Sequence, residues 1–206
     1  TKLLNIIRMV ISDVIIVAII TGCFMLANTY LSKEHKSKRS RISKLDKSLY
    51  YIELDKICFN IRNALKCDGV YIAYFHNGGK FINGISMDKY SVVGEDYSPN
   101  LNSYKAIYKD KLVNNFPYLF HNLIVANRHC ITSTKDYTFH DKMYRDELNN
   151  RNVNSAYSYL IKDPIKKTPL GFVSLEYIQN VTLNETDERF IWKYQNDIAN
   201  ILNMGK

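Results

Sequence analysis

By hydropathy the chain divides into an apolar opening, a basic segment and a long stretch in which hydrophobic positions recur at short, regular intervals. From Val14 to Leu31 the sequence VIIVAIITGCFMLANTYL carries no charge, and a run of that length just crosses the hydrocarbon core of a bilayer. Apolar residues surround this segment instead of striping one side of it (Ile11, Val14 to Ile16, Ala18 to Ile20, Cys23 to Leu26), which argues against an amphipathic surface helix. Its length also argues against a removed signal peptide, as do Asn28, Tyr30 and Leu31, which stand where small residues would mark cleavage. The expected organisation is a short tail at 1–8, a transmembrane helix at 9–31, a basic juxtamembrane linker at 32–47 and one folded domain at 48–206.

Within the folded part, Leu45, Leu49, Ile52, Leu54, Ile57, Cys58, Ile61 and Leu65 recur at three- and four-residue steps and predict an amphipathic helix over 42–65. Cys67, Asp68 and Gly69 end it. Val70 to Phe75 is β-branched and aromatic and reads as a buried strand. HNGGKFING then supplies turn chemistry through Asn77-Gly78 and Asn83-Gly84, so a hairpin with a second strand over 85–93 is expected. Between Asp96 and Asn127 the pattern weakens, with short helices expected around 101–109 and 117–125; a ligand-covering segment belongs there. A strand at 128–133 and a helix at 138–151, with Met143 and Leu148 facing inward, come next. Strands at 155–161 and 170–178 flank the turn DPIKKTP. The final helix starts at Asn184, an N-cap with Asp187 three residues on, and its apolar side is Phe190, Ile191, Tyr194, Ile198, Ile201 and Leu202.

Charge adds orientation. The net charge is +8, and much of it comes from Lys33, Lys36, Lys38, Arg39, Arg41, Lys44 and Lys47, offset nearby by Glu34 and Asp46 alone. The positive-inside rule then puts the large C-terminal part in the cytoplasm, with the basic run against anionic headgroups. Because the run is pinned at the bilayer, no nucleic-acid partner is expected. Asp13 at the start of the span has two readings: it stays at headgroup level, or it joins Ser12, Thr21 and Gly22 in a polar contact between packed spans, which implies a homo-oligomer. The four cysteines at 23, 58, 67 and 130 have no metal-site spacing.

The order helix, hairpin, variable helical segment, strand, helix, hairpin, helix is that of a GAF-type domain. The resemblance is strongest over Tyr74-Phe75-His76-Asn77-Gly78-Gly79, continuing through Gly84, Ile85, Ser86, Lys89, Ser91 and Glu95. This FHNGG stretch resembles a group of small bacteriophage proteins with one N-terminal span and a GAF-like domain. It implies an α+β fold with a central antiparallel sheet of five or six strands, terminal helices on one face and crossing segments over the other. More weakly, the stretch from Ala156 to Asn203 is similar to the end of the soluble domain of T-even-type phage holins. Those proteins oligomerise in the inner membrane and set the time of host lysis. They also export their domain to the periplasm after a longer cytoplasmic N-terminus, whereas Thr1 to Arg8 alone precede the span here and the charges favour a cytoplasmic domain.

Candidate chemistry is sparse. His76 and Asn77, at the end of a strand that opens toward the ligand face of a GAF-like fold, either bind a ligand or a proton near neutral pH or satisfy the backbone of a long turn. Lys89, Ser91 and Glu95 share a face by the two-residue period; that face either lines a polar pocket with His76 or is solvated. His121, His129, Cys130 and His140 lack zinc-ligand spacing, and there is no nucleophile elbow, phosphate-cradling loop or paired-acid motif. No cofactor, metal or catalytic residue is therefore expected. The 16 tyrosines and 9 phenylalanines fit strand propensity and core packing, and Trp192 fits a core or helix-pair contact. The expectation is a phage-encoded, non-enzymatic interaction domain on the host inner membrane, self-associating or binding a protein partner, holin-like in lysis timing, and acting in the infected cell or carried in the virion. A small-molecule-sensing GAF domain tethered to the cytoplasmic face is the alternative.

Overall fold

The computed structural model describes residues 48–80, 86–105, 107–136 and 142–204. The expected span at 9–31, the basic linker, Asp13, Gly22 and the Asn83-Gly84 turn lie outside them. Among the described residues no helix is long and apolar enough to cross a membrane.

The first helix, α1, covers residues 48–65. Among the described residues six strands follow in the order of the chain: β1 (Gly69–Lys80), β2 (Ser86–Tyr97), β3 (Lys111–Leu112), β4 (Arg128–Ile131), β5 (Ser155–Lys162) and β6 (Pro169–Tyr177). Helix α2 (Pro117–Ala126) precedes β4, α3 (Lys142–Asn150) precedes β5, and α4 (Glu185–Met204) follows β6. The strands make one antiparallel sheet in the order β3-β2-β1-β6-β5-β4. Residues 48–206 make a unit of their own around it.

Strand alternation splits the core in two. Val70, Ile72, Tyr157, Tyr159, Ile161, Val173 and Leu175 face α1 and α4, which bring Leu54, Ile57, Ile61, Ile191, Ile198 and Leu202. The intervening residues Tyr71, Ala73, Leu160 and Phe172 face the crossing segments, which bring Tyr104, Tyr108, Phe116, Leu119, Phe120, Tyr144 and Leu148. Helix α1 lies close to β2 because position 94 is glycine: a Cβ there would stand 2.7 Å from that of Leu54. Helix α4 starts as its sequence predicts, with Asn184 Oδ1 accepting from the Asp187 N–H and Asp187 Oδ2 from the Asn184 N–H, both at 3.0 Å. Asn127 ends α2 in the left-handed conformation (φ 60°).

Four local expectations are corrected. HNGG does not turn the chain; it continues β1, with an irregularity in the β1–β2 pairing between Asn77 and Lys80, because cross-strand bonding to β2 outweighs the local turn preference. Around 101–109 there are turns instead of a helix, tied down by Tyr104 and Tyr108 in the core. In α3 Met143 is exposed and Tyr144 takes the inward position with Leu148, one residue out of the expected phase. Trp192 is half exposed, on the outer side of α4 beside buried Ile191.

Candidate functional site

At the end of β1, His76 lies opposite Lys89 and next to the Tyr74–Ser91 pair of the β1–β2 ladder. Its Nε2 is 2.9 Å from Ser91 Oγ and 3.5 Å from Asp110 Oδ1. The Asp110 N–H in turn donates to Ser91 Oγ at 2.9 Å, with Asp110 in the left-handed region (φ 57°). A histidine, a serine and an aspartate thus meet without making a nucleophilic relay. Such a relay needs the base to face the hydroxyl through one ring nitrogen and the carboxylate through the other, and here both partners sit at Nε2. What the cluster does is fasten the approach to β3 onto β2.

Beside it, on the crossing-segment side, Phe75, His76, Asn77, Asp88, Val113, Phe120, Ile124 and Pro169 line a hollow of about 360 Å³. Of the five residues singled out in the sequence, His76 and Asn77 border this hollow, Ser91 bonds His76, and Lys89 is its cross-strand neighbour. Glu95 is elsewhere. A bulge shifts the β1–β2 register between Ile72 and Ala73, so the two-residue period does not carry across it and Glu95 leaves the face of Ser91. Its carboxylate accepts from the Ser103 hydroxyl and from the N–H groups of Tyr104 and Lys105, at 2.9 and 3.0 Å.

The strongest polar feature of the domain escaped the sequence. Glu176, fully buried in β6, receives the Tyr104 hydroxyl at 2.8 Å and both oxygens face Arg151 Nη1, at 2.8 and 3.1 Å. The guanidinium also lies 3.3 Å from the centre of the Tyr104 ring and donates to the Asn102 carbonyl. Burial pushes the Glu176 carboxyl up to about 8, against the opposing pull of Arg151. One signal was available: a single carboxylate inside the apolar strand PLGFVSLEY. Around this pin Tyr71, Tyr90, Tyr104, Tyr108, Tyr144, Phe116 and Phe172 are each under 2% exposed. They form a continuous ring cluster, with Tyr104 and Tyr108 stacked at 4.3 Å.

Among the described residues no group of three His, Cys, Asp or Glu side chains is placed to hold a metal. The thiols of Cys58 and Cys67 are buried on the helix-covered face, and burial raises both, that of Cys67 to about 12. At neutral pH they are protonated and poor nucleophiles.

No family model matches the chain, and no curated protein does. Solved structures do. The phycocyanobilin-bound GAF domain of a cyanobacterial phytochrome aligns with a TM-score of 0.58 at 16% identity, covering 76% of this chain and 85% of that one. The GAF domain region of a putative membrane protein from Geobacter sulfurreducens PCA gives 0.55 at 13%, covering 78% and 97%. A type II free methionine-R-sulfoxide reductase from Thermoplasma acidophilum gives 0.54 at 9%, covering 77% and 96%. The domain therefore has a GAF-like fold. Its neighbours include a bilin-bound GAF domain and a methionine sulfoxide reductase, so fold alone does not choose between binding and catalysis.

Proposed function

We propose that the chain is a membrane-anchored, non-enzymatic GAF-like interaction domain that self-associates or docks a protein partner at the inner membrane of a phage-infected host, holin-like in its place in lysis. One observation carries the choice of interaction over sensing. The side of the sheet lying under the crossing segments is packed with buried aromatic rings and a charged pin, which occupy its centre and leave the hollow at His76 to one end. The uncharged stretch 14–31 supports anchoring, the basic run after it supports a cytoplasmic domain, and the FHNGG resemblance supports phage origin.

Self-association has a surface to use. Leu49, Ile52 and Phe59 of α1 are half exposed and recur at three- and seven-residue steps with Lys56 between them. They lie opposite the buried Leu54, Ile57 and Ile61. Two copies anchored in one bilayer plane are parallel, the arrangement in which such a seam matches itself.

The test is full-length chain in bacterial inner membranes, with reporters fused after Lys206 that are active on one side only, and amine-reactive cross-linking of intact cells. A cytoplasmic C-terminus with cross-linked dimers or larger species is expected, together with abrupt loss of membrane potential. Monomers alone would refute self-association, and unchanged potential would refute the holin-like role. The second reading, a small-molecule sensor, has the hollow at His76 in its favour. It requires a ligand that raises the melting temperature and loses that effect in His76→Ala.

A further inference from the structure

We propose that a second groove, between the β5–β6 turn and the outer side of α4, binds a small anion carrying a planar ring, the chemistry of a mononucleotide. The groove holds about 660 Å³ and is lined by Arg128, Lys162, Asp163, Lys167, Trp192 and Gln195 among others. That volume lies in the range of small-molecule sites. It sits between α4, β5 and the end of α2 at Ala126 and Asn127, shares no lining residue with the hollow at His76, and the proposal does not depend on membrane anchoring or self-association.

The charge is left uncompensated by the fold. Lys162 and Lys167 have no carboxylate partner among the described residues. The two nearby carboxylates are already committed. Asp163 accepts from the N–H groups of Ile165 and Lys166, at 2.9 and 2.8 Å, and from the Asn203 amide at 3.0 Å. Glu188 takes Arg128 through both oxygens, at 2.8 and 2.9 Å. The same turn fixes one of the lysines: the Lys167 N–H donates to the Asp163 carbonyl at 3.0 Å, and its backbone is held in the left-handed region (φ 58°). Two lysines thus border a concave surface whose one lining carboxylate, that of Asp163, is held by backbone and amide N–H groups, which is the electrostatic form of an anion site.

The ring follows from Trp192. Its indole is 48% exposed on a helix whose inward positions are filled by smaller aliphatic side chains, and it borders the same groove as the lysines. A large aromatic face in water beside unpaired cations fits a ligand that stacks and carries negative charge together. Gln195, whose amide donates to the Leu160 carbonyl at 3.2 Å, holds the floor of the groove to β5.

Trp192 is the single tryptophan of the chain, so its fluorescence reports the site directly in the full-length protein in detergent micelles. Titration with AMP, excited at the red edge of the indole band, should give saturable quenching. Adenosine, which has the ring without the charge, and inorganic phosphate, which has the charge without the ring, should each bind at least about tenfold more weakly. Lys162→Ala/Lys167→Ala should lose about tenfold in AMP affinity with an unchanged circular dichroism spectrum. Trp192→Phe, read by competition with a fluorescent nucleotide analogue, should also weaken binding. Absence of saturable quenching by AMP, GMP, CMP and UMP would overturn the proposal. So would undiminished affinity in the double-lysine protein, or phosphate competing as well as AMP.

Discussion

On the side of α1 and α4 the sheet presents Val70, Ile72, Ile161, Val173 and Leu175 to two continuous helices, and aliphatic contacts dominate. On the other side it presents Tyr71, Tyr90, Phe172 and Glu176 to turns and short helices, and the covering is held by rings and by the buried Arg151–Glu176 contact. Helices bring whole rows of side chains to a sheet with their own backbone bonds satisfied, so packing alone suffices there. Turns do not, and the segment around 98–110 depends on what its side chains reach: Glu95 for its N–H groups, Glu176 and Arg151 for Tyr104 and Asn102. In this domain aromatic side chains fill the centre of the space under that covering and leave the hollow at His76 at one end.

If that difference is right, the largest loss of stability should come from the pin. Glu176→Ala leaves Arg151, whose side chain is 10% exposed, and the buried Tyr104 hydroxyl without the carboxyl that accepts from both, at a cost of about 3 to 5 kcal/mol. Urea unfolding of residues 48–206 measures it. A loss below about 1 kcal/mol would mean that the rings hold the covering unaided.

On the helix-covered face the corresponding probe is Ile61→Ala, which opens a cavity in an aliphatic core and should cost about 2 to 4 kcal/mol. The two substitutions lie on opposite sides of the sheet and share no partner. Combined, their costs should add within about 0.5 kcal/mol. Strong coupling would show that the faces are one cooperative core.

Titration sharpens the contrast, because both groups that move it sit on the aromatic side. Burial depresses His129 to about 4, and the neutral ring accepts from the Asn122 amide at 2.9 Å. Its stabilising contribution is present above the unfolded value near 6.5 and is lost as pH falls toward 4. Glu176 is raised to about 8, so its contribution is complete below the unfolded value near 4.5 and is lost as pH rises toward 8. Unfolding free energy measured against pH should decline on the alkaline side in the parent protein and flatten there in Glu176→Gln. The acid limb should flatten in His129→Gln instead.

How much could be foreseen follows the same division. The helix face was legible because its periods are local: Leu54, Ile57 and Ile61 in α1, and Ile191, Ile198 and Leu202 in α4, mark their own burial. The GAF-like order of elements was legible for the same reason. The aromatic side was not, since Tyr104 and Tyr108 pack against Tyr71, more than thirty residues earlier in the chain, and neither belongs to a periodic element. Of the candidate site, His76 and Ser91 meet through a hydrogen bond, one of the two arrangements the strand period allowed, while the bulge removed Glu95. A register shift of one residue carries no mark in composition.

The smallest effect on stability is expected from Phe59→Ser, because the ring is half exposed on the outer side of α1 and belongs to neither core cluster. Its cost should stay within about 0.5 kcal/mol. If α1 is the seam between copies, the same change should nevertheless abolish cross-linked dimers of the full-length chain, and Leu49→Ser should act alike because it lies on the same stripe. Met143→Ser, an exposed apolar side chain on α3 removed from that stripe, is the control and should leave cross-linking intact. Equal loss in all three would point to general stickiness, whereas loss confined to Leu49 and Phe59 would separate a helix face that both stabilises and associates from an aromatic face that stabilises alone.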